Sequence, residues 1–263
     1  MIITTSDHVR LDYTDEGEGQ PVVILTGLGG AKEIWHAQVS ALISAGYRVI
    51  NVDARNQGAS EHTGKGLRIS RHGMDLAEMI DKLHLVKPIL LGNSMGAATI
   101  FAYLSLFGDA NVTAVIDLDQ SPKMINDAEW KFGFKDVTWA EFPDFFRMPL
   151  GPSTFKHIDD DTYQLVTAVA ATSPYDAALN EPFLFDHAFA DWRDVIRQIN
   201  VPFLVMAGGK SPYFNPEFAS VTAKMAAHGQ SVVIPNAGHI LMAEQSAATN
   251  AALLSFLKNL PHV

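Results

Sequence analysis

Short, uniformly apolar runs alternate with stretches of helical spacing along this chain. Val22–Leu25 leads into a helical pattern from Lys32 to Ser44, and Tyr47–Val52 stops at Asp53. A helix carrying Met74, Leu76, Ala77, Met79, Ile80 and Leu83 precedes the run Pro88–Leu91, and Ala97–Phe107 precedes Val112–Ile116. A strand buried on both faces reads as a continuous apolar run, and parallel strands need a crossover long enough to hold a helix. The alternation therefore predicts an α/β fold: a mostly parallel central sheet with helices on both faces. Alternating stretches at Ile2–Thr5 and His8–Tyr13 predict two further strands, with a turn at Asp15–Gly19.

The rhythm breaks near Pro122 and resumes with the runs Pro202–Met206 and Ser231–Ile234 and a helix from Met242 to Leu257. Of the chain's 25 aromatic residues, 14 fall between 122 and 192, a density that needs a surface to pack on. The expected organisation is a core of residues 1–121 and 200–263 with a helical lid, 122–199, inserted. A 48% hydrophobic content supplies one large core, and the net charge of −10 disfavours nucleic acid and anionic membrane surfaces as partners. The absence of cysteine excludes disulfides, thiolate metal sites and a cysteine nucleophile. No apolar run approaches the roughly 20 residues that span a bilayer, and Met1-Ile2-Ile3-Thr4-Thr5 lacks the basic start of a secretory signal. A cytoplasmic protein acting on a small molecule is expected, with its oligomeric state left open.

Gly92-Asn93-Ser94-Met95-Gly96 is a G-x-S-x-G between an expected buried strand and an expected helix. A serine at so sharp a turn projects its hydroxyl, and side chains two positions to either side would collide with the neighbouring strand and helix. With this context the sequence resembles the α/β-hydrolase superfamily over nearly its whole length. Thr26-Gly27-Leu28-Gly29-Gly30 looks like the family's His-Gly loop with Thr for His. Asp53-Ala54-Arg55-Asn56-Gln57-Gly58-Ala59-Ser60 looks like its D-x-R-G-x-G-x-S loop with Asn56 for Gly, and Gly238-His239 follows the last strand.

A serine hydroxyl needs a base to become nucleophilic at neutral pH, and an imidazole can both take and return the proton. Of ten histidines, His239 is expected at the carboxyl edge of the sheet beside Ser94. His8, His36, His62, His84, His228 and His262 read as solvated, whereas His72, His157 and His187 could face a pocket. Most of the superfamily places its acid after the strand that follows the lid, but here Ser211 occupies that position in Ala207-Gly208-Gly209-Lys210-Ser211. A subset takes the acid from the preceding strand, and that resemblance points to Asp119. Asp117 has the same side-chain parity but lies two residues, roughly 6.6 Å, back along the strand.

The backbone N–H groups of Leu28 and Met95 are the expected oxyanion donors. No metal-ligand spacing is present, Asp159-Asp160-Asp161 reads as a solvated acidic turn, and Asp53 and Arg55 are expected to pair as a loop-fixing ion pair. The resemblance implies a cofactor-free serine hydrolase for a small, apolar ester, lactone or activated amide. Carbon–carbon bond hydrolysis, perhydrolysis, or a small-molecule receptor on the same fold are the alternatives. Trp130, Phe132, Phe134, Trp139, Phe142, Phe145 and Phe146 are candidates to line the cleft.

Overall fold

The computed structural model describes residues 1–260, so His262 lies outside the described residues. Eight strands are described: β1 Ile2–Thr4, β2 Arg10–Glu16, β3 Gln20–Leu25, β4 Tyr47–Val52, β5 Ile89–Asn93, β6 Ala114–Leu118, β7 Phe203–Gly208 and β8 Gly229–Ile234. They form one sheet in the order β1-β2-β4-β3-β5-β6-β7-β8. The pairings β1–β2 and β2–β4 are antiparallel, and all the others are parallel. The helices are α1 His36–Ser44, α2 Ile69–Lys82, α3 Met95–Phe107, α4 Asp160–Thr172, α5 Ala177–Phe189, α6 Arg193–Ile196, α7 Glu217–Ala223, α8 Leu241–Glu244 and α9 Ser246–Lys258. None is long and apolar enough to cross a membrane among the described residues.

Strand parity divides the apolar side chains between two cores. Val23, Leu90, Val115 and Val205 face one side of the sheet with Leu76, Met79 and Phe101 of α2 and α3. Ile24, Leu91, Ile116 and Leu204 face the other with Leu42 of α1 and Leu253 and Phe256 of α9. The parallel strands β3 to β7 therefore bury both faces, which accounts for their unbroken apolar runs, while β8 at the sheet edge leaves Gln230, Ser231 and Val233 exposed. Because β3 is flanked by β4 on one side and β5 on the other, the chain reverses its winding there. The crevice at the carboxyl ends of β3 and β5 is where such sheets bind ligands.

Between β6 and β7 the expectation of a helical segment holds only from Asp160 onwards, through α4, α5 and α6. Residues 119–159 carry a single short 3-10 turn, Asp144–Arg147. Pro122, Pro143, Pro149 and Pro152 remove backbone donors through this stretch. Its aromatic residues hold it together instead: Phe134 and Phe146 lie 5.5 Å apart by ring centroid, and Phe142 and Phe146 6.0 Å. Asp159-Asp160-Asp161 is a helix start rather than a turn, since the Asp159 carboxylate accepts from the Thr162 N–H at 2.9 Å, the N-cap of α4.

The expected Asp53–Arg55 ion pair does not form. Arg55 makes two 2.7 Å bonds to the Asp75 carboxylate and reaches Asp7 at 3.0 Å, while Asp53 pairs with the Lys32 ammonium at 2.9 Å. A guanidinium fork matches a carboxylate edge on, and α2 presents that edge where the loop passes.

Behind the Arg55 pair, His72 is buried and stacked on Phe183 at 4.3 Å between ring centroids. Burial first, and then the nearby Arg55 and Arg71 cations and repulsion from His187 when that ring is protonated, hold its pKa down at about 3. The unfolded chain, with an ordinary imidazole near 6.5, binds a proton that the folded chain refuses. His72 therefore favours folding above about pH 6.5, and this contribution is lost as the pH falls toward its folded value. Urea unfolding at pH 7 and at pH 5 should show a smaller loss of stability for His72→Phe than for the wild type. Equal losses would mean that His72 is not held neutral.

Candidate active site

Six loops leave the carboxyl edge of the parallel strands and meet around one cavity of about 480 Å³, lined in part by Leu28, Gln57, Ser94, Phe134, His187 and His239. Ser94 sits between β5 and α3 at φ 53°, ψ −123°, a backbone conformation that a non-glycine residue adopts only under strain. The surroundings leave it no alternative. A Cβ at Gly92 would lie 2.4 Å from the Ala97 nitrogen, and one at Gly96 would lie 2.2 Å from the Leu25 carbonyl oxygen of β3. These are the two collisions that the G-x-S-x-G spacing predicts. The Ser94 N–H is held by the Leu118 carbonyl at 3.0 Å, which ties the turn to the end of β6.

Asp119 follows β6 and is fully buried. One of its oxygens accepts from the Gly208 N–H at 2.8 Å. The other accepts from the Ser211 hydroxyl at 2.6 Å and lies 2.7 Å from His239 Nδ1. Thus Ser211, standing where most of the superfamily carries the acid, is a hydrogen-bond donor to a carboxylate supplied from the neighbouring strand. Asp117 has no such role: one oxygen accepts from the Gln120 N–H at 3.1 Å and the other is buried without a partner. Burial and the adjacent Asp119 charge raise the Asp117 pKa well above the ordinary carboxylate range, which favours its neutral form.

The His239 ring bridges outward from Asp119 to the cavity that Ser94 also lines. The Ser94 hydroxyl makes no hydrogen bond to this ring among the described residues. The neighbouring rings are Tyr213 at 4.7 Å and Phe214 at 5.9 Å. Two polar residues that the sequence reading did not single out fix the surrounding backbone. Gln57 accepts from the Gly29 N–H at 2.6 Å and donates to the Gly27 carbonyl at 3.0 Å, bracketing Leu28. Glu244, buried on α8, accepts from the Gly238 N–H at 2.9 Å and the Ile240 N–H at 3.3 Å, bracketing His239. It also accepts from Phe155 at 2.8 Å and Lys156 at 3.0 Å in the β6–β7 segment. Thr26, in the place of the family's His, accepts from the Trp35 indole at 3.3 Å.

Of the seven aromatic candidates in the β6–β7 segment, Phe134 alone lines the cavity; the others pack on one another or on the core. His8, His36, His62, His84 and His228 are exposed, as expected. His157 is exposed too and bonds Asp160 at 3.1 Å. His187, by contrast, is buried and lines the cavity.

The profile of the Alpha/beta hydrolase family matches residues 22–252. The chain belongs to that family. An esterase from Exiguobacterium antarcticum has the same fold with a TM-score of 0.83 and 25% identity, over 98% of this chain and 99% of its own. A non-heme haloperoxidase of Rhodococcus erythropolis is 25% identical over 98% of this chain and 99% of its own length. The (E)-2-((N-methylformamido)methylene)succinate hydrolase of Acinetobacter baylyi is 27% identical over 97% of each.

Four backbone N–H groups depend on the Glu244 carboxylate. Stranding a buried donor costs roughly 1–3 kcal/mol. Glu244→Ala should therefore destabilise the fold by about 2–4 kcal/mol and speed hydrogen exchange at Gly238, Ile240 and Phe155 together. Unchanged exchange at any of the three would detach it from this clamp.

Proposed function

We propose that the protein is a cofactor-free serine hydrolase for small uncharged esters, lactones or activated amides. The carrying observation is the 2.7 Å contact of His239 with Asp119 at the mouth of a cavity shared with Ser94. In this reading Ser94 Oγ attacks the substrate carbonyl carbon while His239 Nε2 takes the hydroxyl proton. Asp119 orients the ring and stabilises its cationic form through Nδ1. The Leu28 and Met95 N–H groups receive the developing oxyanion. When the tetrahedral adduct collapses, His239 returns the proton to the departing alcohol. Water, deprotonated by the same ring, then cleaves the acyl-enzyme. Residues 122–199 act as the lid over the cavity.

The lining supports this substrate class. None of its described side chains carries a formal charge at neutral pH with His239 neutral, so a carboxylate-bearing substrate would enter without a counter-ion. That feature supports uncharged substrates here. The haloperoxidase relatives support a second reaction at the same site: perhydrolysis, in which hydrogen peroxide in place of water cleaves the acyl-enzyme to give a peroxy acid.

Fluorophosphonate labelling tests the reading. Wild type should label, Ser94→Ala should not, Asp119→Asn should label at least 100-fold more slowly and Asp117→Asn close to the wild-type rate. Equal slowing in both Asp variants would remove Asp119 from its role, and slowing at Asp117 alone would transfer the role there.

Gln57→Leu deletes both bonds that hold the loop around Leu28. It should lower kcat on a p-nitrophenyl ester by about 10–100-fold with a smaller change in KM. A change confined to KM would place Gln57 in substrate binding instead.

A further inference from the structure

His187 is a buried histidine in the cavity lining that the proposed reaction leaves unused. It lies near the end of α5, one turn beyond Leu184, and both side chains line the cavity. Only 3% of the residue is exposed, yet its Nδ1 is buried without a hydrogen-bond partner among the described residues. Buried imidazoles are ordinarily bonded through at least one nitrogen, because water is lost to them and nothing else replaces it. With Nδ1 closed off, Nε2 is the nitrogen a molecule in the cavity can reach.

We infer that His187 is a specificity-determining residue that hydrogen-bonds an uncharged carbonyl or hydroxyl oxygen of the substrate, an oxygen other than those of the reacting ester. The inference rests on the serine-hydrolase reading above and narrows its substrate class to oxygenated esters. Burial first, and then the neighbouring His239 charge, lowers the His187 pKa to about 4, so the ring is neutral at physiological pH. A neutral imidazole offers one N–H and one lone pair, which suits a ketone or a hydroxyl and offers no ion pair to a carboxylate. Leu184, Met124 and Phe134, which also line the cavity, cannot satisfy such an oxygen themselves. A site built around one buried polar group discriminates strongly against the analogue that lacks its partner.

Three esters form the test set: ethyl butanoate, ethyl 3-oxobutanoate with the extra oxygen on the acyl side, and 2-hydroxyethyl butanoate with it on the alcohol side. Acid release is followed by pH-stat for wild type, His187→Leu and His187→Gln, after each variant's melting temperature is measured. Wild type should prefer at least one oxygenated ester. His187→Leu should cut the ratio of kcat/KM for that ester over ethyl butanoate at least tenfold, and His187→Gln should restore part of it. The preferred side tells which half of the substrate meets the ring. No preference in wild type overturns the inference without any variant, as does a ratio that His187→Leu leaves unchanged. Loss on all three esters alike would also overturn it, because the ring would then act on the catalytic groups.

Fluorophosphonate labelling of Ser94 separates failure of the hydrolase reading from failure of this one. If wild type turns over none of the esters, the inference is decided by binding. Ethyl 3-oxobutanoate or 2-hydroxyethyl butanoate should raise the melting temperature of Ser94→Ala but not that of Ser94→Ala/His187→Leu. Equal shifts, or none in either, overturn it.

Discussion

The Asp119 carboxylate is completely buried, and an ionised group in that position needs donors on all sides. Its donors come from three separate parts of the chain: the end of β7, the loop beyond it, and the loop after β8. The convergence is possible only because parallel strands β6, β7 and β8 end at one edge in adjacent register. Satisfying this one group therefore brings the three loops together, and with them the ring of His239. The superfamily's more usual acid position, after β7, is not left empty here. The Ser211 hydroxyl there donates to Asp119, which follows the neighbouring strand and whose carboxylate lies 2.7 Å from His239 Nδ1. Asp117, a strand neighbour on the same face, meets no comparable set of donors and is pushed toward neutrality.

Around this centre the loops are held by backbone bracketing rather than by packing alone. Gln57 grips the carbonyl before Leu28 and the amide after it, and Glu244 grips the amides on either side of His239. In each case one side chain sets the direction of the residue between its two bonds. Short glycine-rich loops have little side-chain mass with which to fix themselves, so such polar clamps supply the rigidity that a site needs. Ser94 obtains the same result through steric exclusion, with Leu25 and Ala97 closing in on the two glycines.

Much of this was legible in the sequence because the relevant forces are periodic or local. Burial on both faces leaves apolar runs at β3 to β7, and the elbow around Ser94 is constrained within five residues. Asp119 could be reached because Ser211 left the usual acid position without a charge. Contacts between remote segments were not legible. Gln57 is about thirty residues from the loop it holds, Glu244 nearly ninety from Phe155, and Arg55 turns to Asp75 instead of its near neighbour Asp53. The proline-interrupted stretch before α4, expected within a helical lid, is a cluster of rings on irregular backbone, because ring packing needs no particular secondary structure.

The uncharged lining of the cavity bears on the end of a catalytic cycle as well as its start. Cleavage of a neutral ester leaves an acid that ionises at neutral pH, and a carboxylate newly formed against Leu184, Met124 and Phe134 finds no cation there to hold it. Hydration outside is far more favourable to the anion than the apolar wall. In the proposed hydrolysis, such a chamber would discharge what it makes: turnover itself would change the solubility of the bound fragment, and its departure would be downhill.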